Sequence, residues 1–274
     1  MIGYYALDEL NCFVETLINI SVIINIMPIP KINEFFDLNK FPKEPGITYF
    51  GLSMPLLNNK QSPEECYKML EYLTSKIQVS NVGAQVVYTD NLYLYSPEKA
   101  VDLKLKHQKL IEEHKRGWLN LIKKNIYIIP SAYTFMTWGQ LLLDCPKFSS
   151  YLIQWEKIYE QDEKLQNYIV KDIESTGREV NEYTIGYMLE EILVDYLIVK
   201  GQVRLQNDYT KDKEQWILNC YHGKPHRSYV YLHQKNFFDL HNTKNLYENS
   251  WYDVTNKKLY DFDRLDIETF EFNK

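Results

Sequence analysis

The sequence predicts an α/β fold with a central, mostly parallel sheet. Strand and helix patterns alternate along its first half: strand at 47–53, helix from Ser62 to about Ile77, strand at 86–89, helix at 98–124, strand at 125–130. This alternation is typical of parallel sheets joined by right-handed helical crossovers. No Gly/Ser-rich linker interrupts the 274 residues, so we expect a single domain spanning 1–274.

Local signals support the first two elements. The strand pattern ITYFGLS follows the turn signal Pro45–Gly46. The first helix has Ser62 as its N-cap, Pro63 at its first position and Glu65 three residues after the cap. This arrangement is a capping-box pattern with proline where a helix tolerates it, so the helix is expected to begin there.

The second half of the chain is predicted to be helical first and then mixed. Helix patterns cover 146–174 and 181–200, and strand patterns return at 216–221 and 228–233. Beyond about residue 240 the chain is acidic and rich in Asn, with no motif that indicates a function.

The composition favours a globular protein without a metal or a disulfide framework. Hydrophobic residues make up 45% and charged residues 25% of the chain. Four cysteines form no C-x-x-C pair, which favours reduced thiols and a cytoplasmic location. The apolar stretch 17–30 is too short to span a bilayer and has no basic segment before it. We therefore expect no membrane partner, no metal and a monomer.

Segment 98–124 is basic on an otherwise acidic chain. It holds eight basic and four acidic residues, whereas the whole chain has a formal charge of -6. On a helical wheel its apolar residues form one stripe, and opposite them lies a basic face consisting of Lys106, Lys109, Arg116, Lys123 and Lys124. A basic face can dock a phosphate backbone. It can equally be a solvated surface partly neutralised by Asp102–Lys106 and Glu112–Arg116 pairs, and both interpretations stay open.

Three fragments contain residues with catalytic potential, and each has an ordinary structural alternative. Ser53, after the first strand, is a candidate nucleophile, although serines there are usually turn or cap residues. Tyr183, Tyr187 and Glu191 are spaced to share one helix face, where a carboxylate beside phenols could bind an ammonium group and relay protons. A solvated acidic edge is the alternative. Tyr221, in a strand ending N-C-Y-H, is either functional or a packed aromatic.

Several familiar sites are missing from the sequence. It contains no G-x-G-x-x-G, no P-loop, no H-E-x-x-H and no metal-ligand spacing among its six histidines. These absences argue against a nucleotide cofactor, ATP-driven chemistry and a zinc hydrolase.

In order and spacing, the fragments resemble the tRNA-dependent cyclodipeptide synthases over residues 45–225. The family's G-x-S at the end of the first strand matches Gly51–Leu52–Ser53. Its Y-x-x-x-E on a helix matches Tyr187 and Glu191. Its late strand ending N-C-Y-H matches 219–222, and its basic tRNA-binding helix matches 98–124. Two departures, Met54–Pro55–Leu56 after the serine and Ile192–Leu193 after the glutamate, imply a divergent branch with different substrate contacts.

The resemblance implies a Rossmann-like three-layer fold, similar to the catalytic domain of class I aminoacyl-tRNA synthetases. It implies Ser53, Tyr187, Glu191 and Tyr221 as catalytic residues. The substrate contacts that it implies are Gly51, Leu52, Asn219 and His222. Two aminoacyl-tRNAs, held partly by the basic face, would give a diketopiperazine through a seryl acyl-enzyme, without a cofactor or ATP. Another aminoacyl-tRNA-dependent transferase, and a non-catalytic tRNA-binding domain, remain as alternatives.

Overall fold

A computed structural model describes residues 46–54, 57, 60–76, 82–89, 100–124, 133–143, 145–203, 216–242, 245, 247–253 and 255–272. Strands and helices alternate in these residues. The elements are β1 (Gly46–Ser53), α1 (Pro63–Lys76), β2 (Val82–Thr89), α2 (Ala100–Lys124), β3 (Tyr133–Thr137), α3 (Trp138–Leu143), α4 (Phe148–Gln161), α5 (Glu163–Ser175), α6 (Glu182–Val199), β4 (Trp216–Tyr221), α7 (Arg227–Lys235), β5 (Ser250–Asp253), β6 (Lys258–Asp261) and a 3-10 turn (Phe262–Arg264).

The strands form one sheet in the order β3-β2-β1-β4-β5-β6. Every neighbouring pair is parallel except β5 and β6, so the predicted α/β fold with a mostly parallel sheet is confirmed. The chain builds outward from β1 through β2 to β3 and then, from the other side of β1, through β4 to β5. The strand order therefore reverses between β1 and β4. Ligands of such sheets bind outside the carboxyl ends of the strands at this switch point.

Helices cover both faces of the sheet, which gives three layers. Alternate strand residues face opposite sides. Leu52 and Leu218 pack with Trp118 on the side of α1 and α2. Tyr49 and Val87 pack on the opposite side, with the larger core that α3 to α7 contribute. Ser53 belongs to the second set by the alternation along β1, so its side chain is directed to the α6 side.

Helix α6 runs through the centre of the larger core. The side chain of Asn181 accepts hydrogen bonds from the backbone N–H groups of Tyr183 and Thr184, which caps the helix start. Gly201, with a φ of 69°, follows the helix end, in the left-handed conformation that glycine adopts without strain. Residues 187–194 and 196–199 are all buried, so the predicted helix at 181–200 is an internal element.

Two of the element predictions are wrong. The single helix predicted at 146–174 is two helices, α4 and α5. Asp162 separates them, and its carboxylate accepts the Leu165 N–H at 3.0 Å, so this residue caps a new helix. The strand predicted at 228–233 is helix α7. Its whole run is buried, and Asp172 accepts the N–H groups of Arg227 (2.9 Å) and Ser228 (2.8 Å) at the helix start.

Two further regions differ in extent from the prediction. The strand predicted at 125–130 lies outside the described residues, and the third strand that the structure describes is β3, at 133–137. The segment beyond 240, which carries no sequence motif, adds β5 and β6 to the edge of the sheet. As for a membrane, none of the described helices is long and apolar enough to cross one.

Candidate active site

Ser53 lies at the carboxyl end of β1, next to the end of β2. It is buried, and its register partner is Thr89, the last residue of β2. The Thr89 hydroxyl donates to the Leu52 carbonyl oxygen at 3.1 Å, which closes the last rung between the two strands. The serine therefore sits on rigid strand backbone rather than in a loop, as a positioned nucleophile requires.

Helix α6 brings Tyr187 and Glu191 to the same strand ends. The Tyr187 hydroxyl donates to Thr89 Oγ1 at 3.4 Å, and Thr89 is the register partner of Ser53. Glu191 lies one turn further along and is only 8% exposed, and Glu190 is 6% exposed. The alternative of a solvated acidic edge therefore does not hold. Tyr183, which shares the predicted face, remains at the surface with 41% of its area exposed.

Tyr221, the last residue of β4, completes this group. Its ring packs on Gly51: a Cβ at position 51 would lie 3.8 Å from the ring and 3.4 Å from the Tyr49 hydroxyl. On its other side the ring contacts Trp251 of β5, with ring centroids 5.3 Å apart. Because Gly51 and Ser53 face the same side of β1, Tyr221 covers the approach to the serine from the β4 side.

Both site phenols are held neutral. Burial raises the pKa of Tyr187 well above its usual range, and the negative charge of Glu191 raises it further. The pKa of Tyr221 is raised by the same two causes, with Asp195 adding to them. The Arg178 guanidinium lies 5.1 Å from the centre of the Tyr187 ring and opposes part of the Tyr187 shift. At neutral pH these hydroxyls can donate hydrogen bonds and relay protons as neutral groups.

A polar network that the sequence analysis missed lies beneath the site. The Tyr49 hydroxyl donates to Asp195 Oδ1 at 2.7 Å, and the Asn219 side chain bonds the same carboxyl. Burial raises the pKa of Asp195 to about 8, and the nearby Glu191 also contributes to the shift. The signals were present, because Asp195 continues the four-residue spacing of Tyr187 and Glu191, and Tyr49 precedes Gly51 and Ser53 with strand alternation.

A second missed residue, Gln61, contacts Ser53 directly. Its Oε1 accepts the Ser53 backbone N–H at 2.7 Å, and its side chain lies next to the Tyr221 hydroxyl. Gln61 lies just before α1, and only the fold brings it to Ser53. No spacing rule in the sequence would have identified it.

The other expected substrate contacts lie at varying distances from this group. The Leu52 side chain faces the opposite side of the sheet, so only its backbone is available to the site. Asn219 lies below Tyr221, where its Nδ2 donates to the Tyr229 hydroxyl at 3.3 Å. His222 follows the end of β4 and bonds Thr255 Oγ1 through Nδ1 at 3.3 Å, and burial lowers its pKa.

The basic segment forms one long amphipathic helix, α2. The basic face (Lys106, Lys109, Arg116, Lys123, Lys124) is exposed, and His107, His114 and Trp118 are buried on the opposite side. Lys109 forms an ion pair with Glu113 at 3.9 Å. The rest of the face remains available to a polyanion, although its binding function stays a prediction. No cluster of three or more potential metal ligands occurs among the described residues.

Fold and site together define an α/β protein with a buried serine, a carboxylate and two phenols at the switch point of its sheet, and comparison with known proteins identifies the fold more closely. No family model and no curated protein sequence matches the chain. Solved structures do match, and the fold is that of the cyclodipeptide synthases. The resemblance stated from the motifs is thereby confirmed at the level of the fold.

Three solved structures illustrate the match. The cyclodipeptide synthase from Staphylococcus haemolyticus has a TM-score of 0.51 at 14% identity, covering 73% of this chain and 88% of that one. The enzyme from Fluoribacter dumoffii has a TM-score of 0.49 at 13% identity, covering 74% and 92%. The enzyme from Candidatus Glomeribacter gigasporarum, solved bound to Phe-tRNAPhe, has a TM-score of 0.42 at 15% identity, covering 73% and 86%. At such low sequence identities the comparison shows only the fold. The activity has to be inferred from the geometry of the site.

Proposed function

We propose that the chain is a tRNA-dependent cyclodipeptide synthase in which Ser53 carries the aminoacyl group. The observation that carries this proposal is the convergence of Ser53, Tyr187, Glu191 and Tyr221, from three separate elements, on one buried switch point. Burying a serine, a carboxylate and two phenols together has a desolvation cost that an apolar core would avoid, which supports a chemical role for the group. The arrangement fits a fold otherwise known from cyclodipeptide synthases.

The first step forms an acyl-enzyme. An aminoacyl-tRNA is an activated ester, so its transfer to a serine needs no ATP. Ser53 Oγ attacks the ester carbonyl carbon, the bond from that carbon to the 3′-terminal ribose oxygen breaks, and the proton of Ser53 goes to the leaving ribose. The family resemblance assigns part of this proton transfer to the terminal adenosine itself, which agrees with a site built from phenols and a carboxylate.

The later steps use the amino group of the bound residue. The Glu191 carboxylate binds its ammonium and accepts a proton, which frees the amine to attack the ester of a second aminoacyl-tRNA. The amine bonds to that ester carbon, the bond from the carbon to the ribose oxygen breaks, and the second tRNA leaves with the proton on its ribose hydroxyl, so that a dipeptidyl group remains on Ser53. Its free amine then attacks the seryl ester, releases Ser53 and closes the diketopiperazine ring. The neutral hydroxyl of Tyr221 relays the proton in this closure.

The substrate's size accounts for the exposed basic surface. A tRNA that delivers its 3′ end to Ser53 must lie across the outside of the domain. The basic face on α2 offers phosphate contacts that supply affinity without reading sequence.

Intact-protein mass spectrometry tests the proposal. Wild type incubated with a mixture of charged tRNAs should gain one aminoacyl mass, and Glu191→Gln should accumulate that species because its amide accepts no proton. Ser53→Ala should gain nothing, whereas Ser149→Ala, an exposed change on α4, should behave as wild type.

Product analysis separates the alternatives. Diketopiperazines in the reaction mixture support the synthase. An acylated Ser53 that yields only linear products indicates another aminoacyltransferase. Binding of tRNA with no mass gain in any variant would leave a tRNA-binding domain and exclude the enzyme.

A further inference from the structure

Gln61 has a buried side-chain amide, and only one of its two polar atoms has a hydrogen bond. The side chain is 0% exposed, and its Oε1 accepts the Ser53 N–H at 2.7 Å. Its Nε2 is buried with no hydrogen bond of acceptable geometry, although it faces the Tyr221 hydroxyl. A buried donor left unpaired costs about 1–3 kcal/mol, so it calls for a functional explanation.

The backbone of Gln61 is firmly held. His114 Nε2 lies 2.7 Å from the Gln61 carbonyl oxygen, and Cys66 Sγ donates to the same oxygen at 3.3 Å. A carbonyl only accepts, so His114 carries its hydrogen on Nε2, and in the neutral ring Nδ1 accepts from the Tyr88 hydroxyl at 3.0 Å. Burial lowers the pKa of His114, which favours this neutral form. The backbone that carries the Gln61 side chain is thus held by residues of α1 and α2.

The hydrogen bond from the Ser53 N–H to Gln61 Oε1 leaves that N–H unavailable as a donor to a substrate. In many acyl transferases the backbone N–H of the nucleophile, or of its neighbour, stabilises the oxyanion. Here the Ser53 N–H is already bonded to Gln61 Oε1. The oxygen and nitrogen of one amide are about 2.2 Å apart, so Gln61 Nε2 lies within about 5 Å of the Ser53 nitrogen. An acyl group on Ser53 Oγ would place its carbonyl oxygen in this range.

We propose that Gln61 is a catalytic residue, whose side-chain NH₂ donates a hydrogen bond to the carbonyl oxygen of the aminoacyl group that transfers to Ser53. The inference rests on the proposed function. When Ser53 Oγ bonds to the ester carbon, that oxygen becomes negative, and the amide stabilises it until the ribose oxygen leaves and the carbonyl re-forms. Gln61 itself breaks and forms no covalent bond. The helix α1 begins two residues later, so its positive end favours the same charge.

Two substitutions separate the donor from the acceptor. Gln61→Glu keeps the size and the oxygen that holds the Ser53 N–H, but it replaces the NH₂ by an oxygen. Gln61→Met removes both polar functions. Gln85→Met is the matched control, because Gln85 is also 0% exposed but lies mid-strand in β2, where Thr134 bonds it.

The experiment is single-turnover acylation of Ser53 by charged tRNA, measured together with tRNA affinity and thermal unfolding. Both Gln61 variants should acylate about 10²–10³-fold more slowly, the usual effect of one lost oxyanion donor, while tRNA affinity changes by less than about twofold. Gln85→Met should acylate normally. The rate of Gln61→Glu should recover as the pH falls, because a protonated carboxyl regains a donor, and a purely structural role would not give this recovery.

The outcomes are distinguishable. If wild type is acylated and both Gln61 variants acylate within about threefold of it, the Gln61 inference is wrong and the proposed function stands. An unacylated wild type overturns the proposed function and this inference with it. If Gln61→Met does not fold, Gln61→Glu decides the question, since it retains the bond to Ser53.

Discussion

Replacing Asp195 by Asn should make the protein more stable at neutral pH and remove part of its pH dependence. The Asp195 carboxyl ionises near 3.8 in an unfolded chain, whereas burial and Glu191 raise its pKa to about 8 in the fold. Between these values the folded state binds a proton that the unfolded state has released. Linkage then requires that the contribution of Asp195 to the free energy of unfolding fall as the pH rises through this range. Asn has the shape of the protonated carboxyl and does not titrate.

The size of the stability difference follows from the change in the free energy of unfolding per pH unit. One proton bound differently in the two states changes the free energy of unfolding by about 1.4 kcal/mol per pH unit. Asp195 is partly exposed as a residue and shares its surroundings with Glu191, so about 1 kcal/mol per unit is expected. The stability difference between Asp195→Asn and wild type should therefore grow by about 2 kcal/mol from pH 5 to pH 7 and level off above about pH 8.

Urea unfolding followed by tryptophan fluorescence at several pH values measures this difference. Any change in the Tyr49 hydrogen bond shifts both ends of the series equally, so only the slope reports titration. Asn120→Ala, an exposed change on α2 that removes no titratable group, serves as the control and should give a flat difference. A flat difference for Asp195→Asn between pH 5 and pH 7 would refute the reasoning.

Two further predictions concern the reaction and the substrate. Tyr221→Phe keeps the ring packing on Gly51 and Trp251 but loses the hydroxyl. Turnover should fall by roughly 10²–10⁴-fold, because the proton relay is lost, while thermal stability stays nearly unchanged. Normal turnover would mean that Tyr221 is only a packed aromatic residue. Reversing the charges of the basic face should weaken tRNA binding and lower the slope of log affinity against log salt by roughly 0.7–0.9 per lost phosphate contact. Lys157→Glu on α4 is its control, and an unchanged slope in the multiple variant would mean that the face is merely solvated.

The sequence predicted those parts of the fold whose signals are local. The capping signals before α1, the helix pattern at 181–200 and the strand-to-turn pattern at Ser53 depend on neighbouring residues only, and these elements are confirmed. The prediction at 228–233 failed because burial of every residue obscures periodicity, so a buried helix and a buried strand look alike. What decides for the helix there is Asp172, which caps it from 55 residues away.

The residues of the candidate site also divide into those with a local sequence signal and those without one. Ser53, Tyr187, Glu191 and Tyr221 stand in recognisable short patterns, although each pattern alone has a structural alternative. The residues that support them stand in no such pattern. Gln61 reaches Ser53 only because His114 fixes its backbone from α2, and Asp195 meets Tyr49 only because α6 crosses β1. Such contacts between distant segments have no signature in a single sequence.

The carboxyl-terminal hairpin has a consequence for anyone who truncates or recombines this chain. All five proposed catalytic side chains precede residue 222, so a fragment ending at α7 would contain every one of them. Yet Trp251 of β5 supports the Tyr221 ring, its indole donates to the Gly223 carbonyl at 3.0 Å, and Asp253 accepts the Gly223 N–H at 3.0 Å. Chimaeras that exchange the last strands between relatives would therefore alter the packing behind Tyr221, and a fragment that keeps this packing must extend at least to the end of β5.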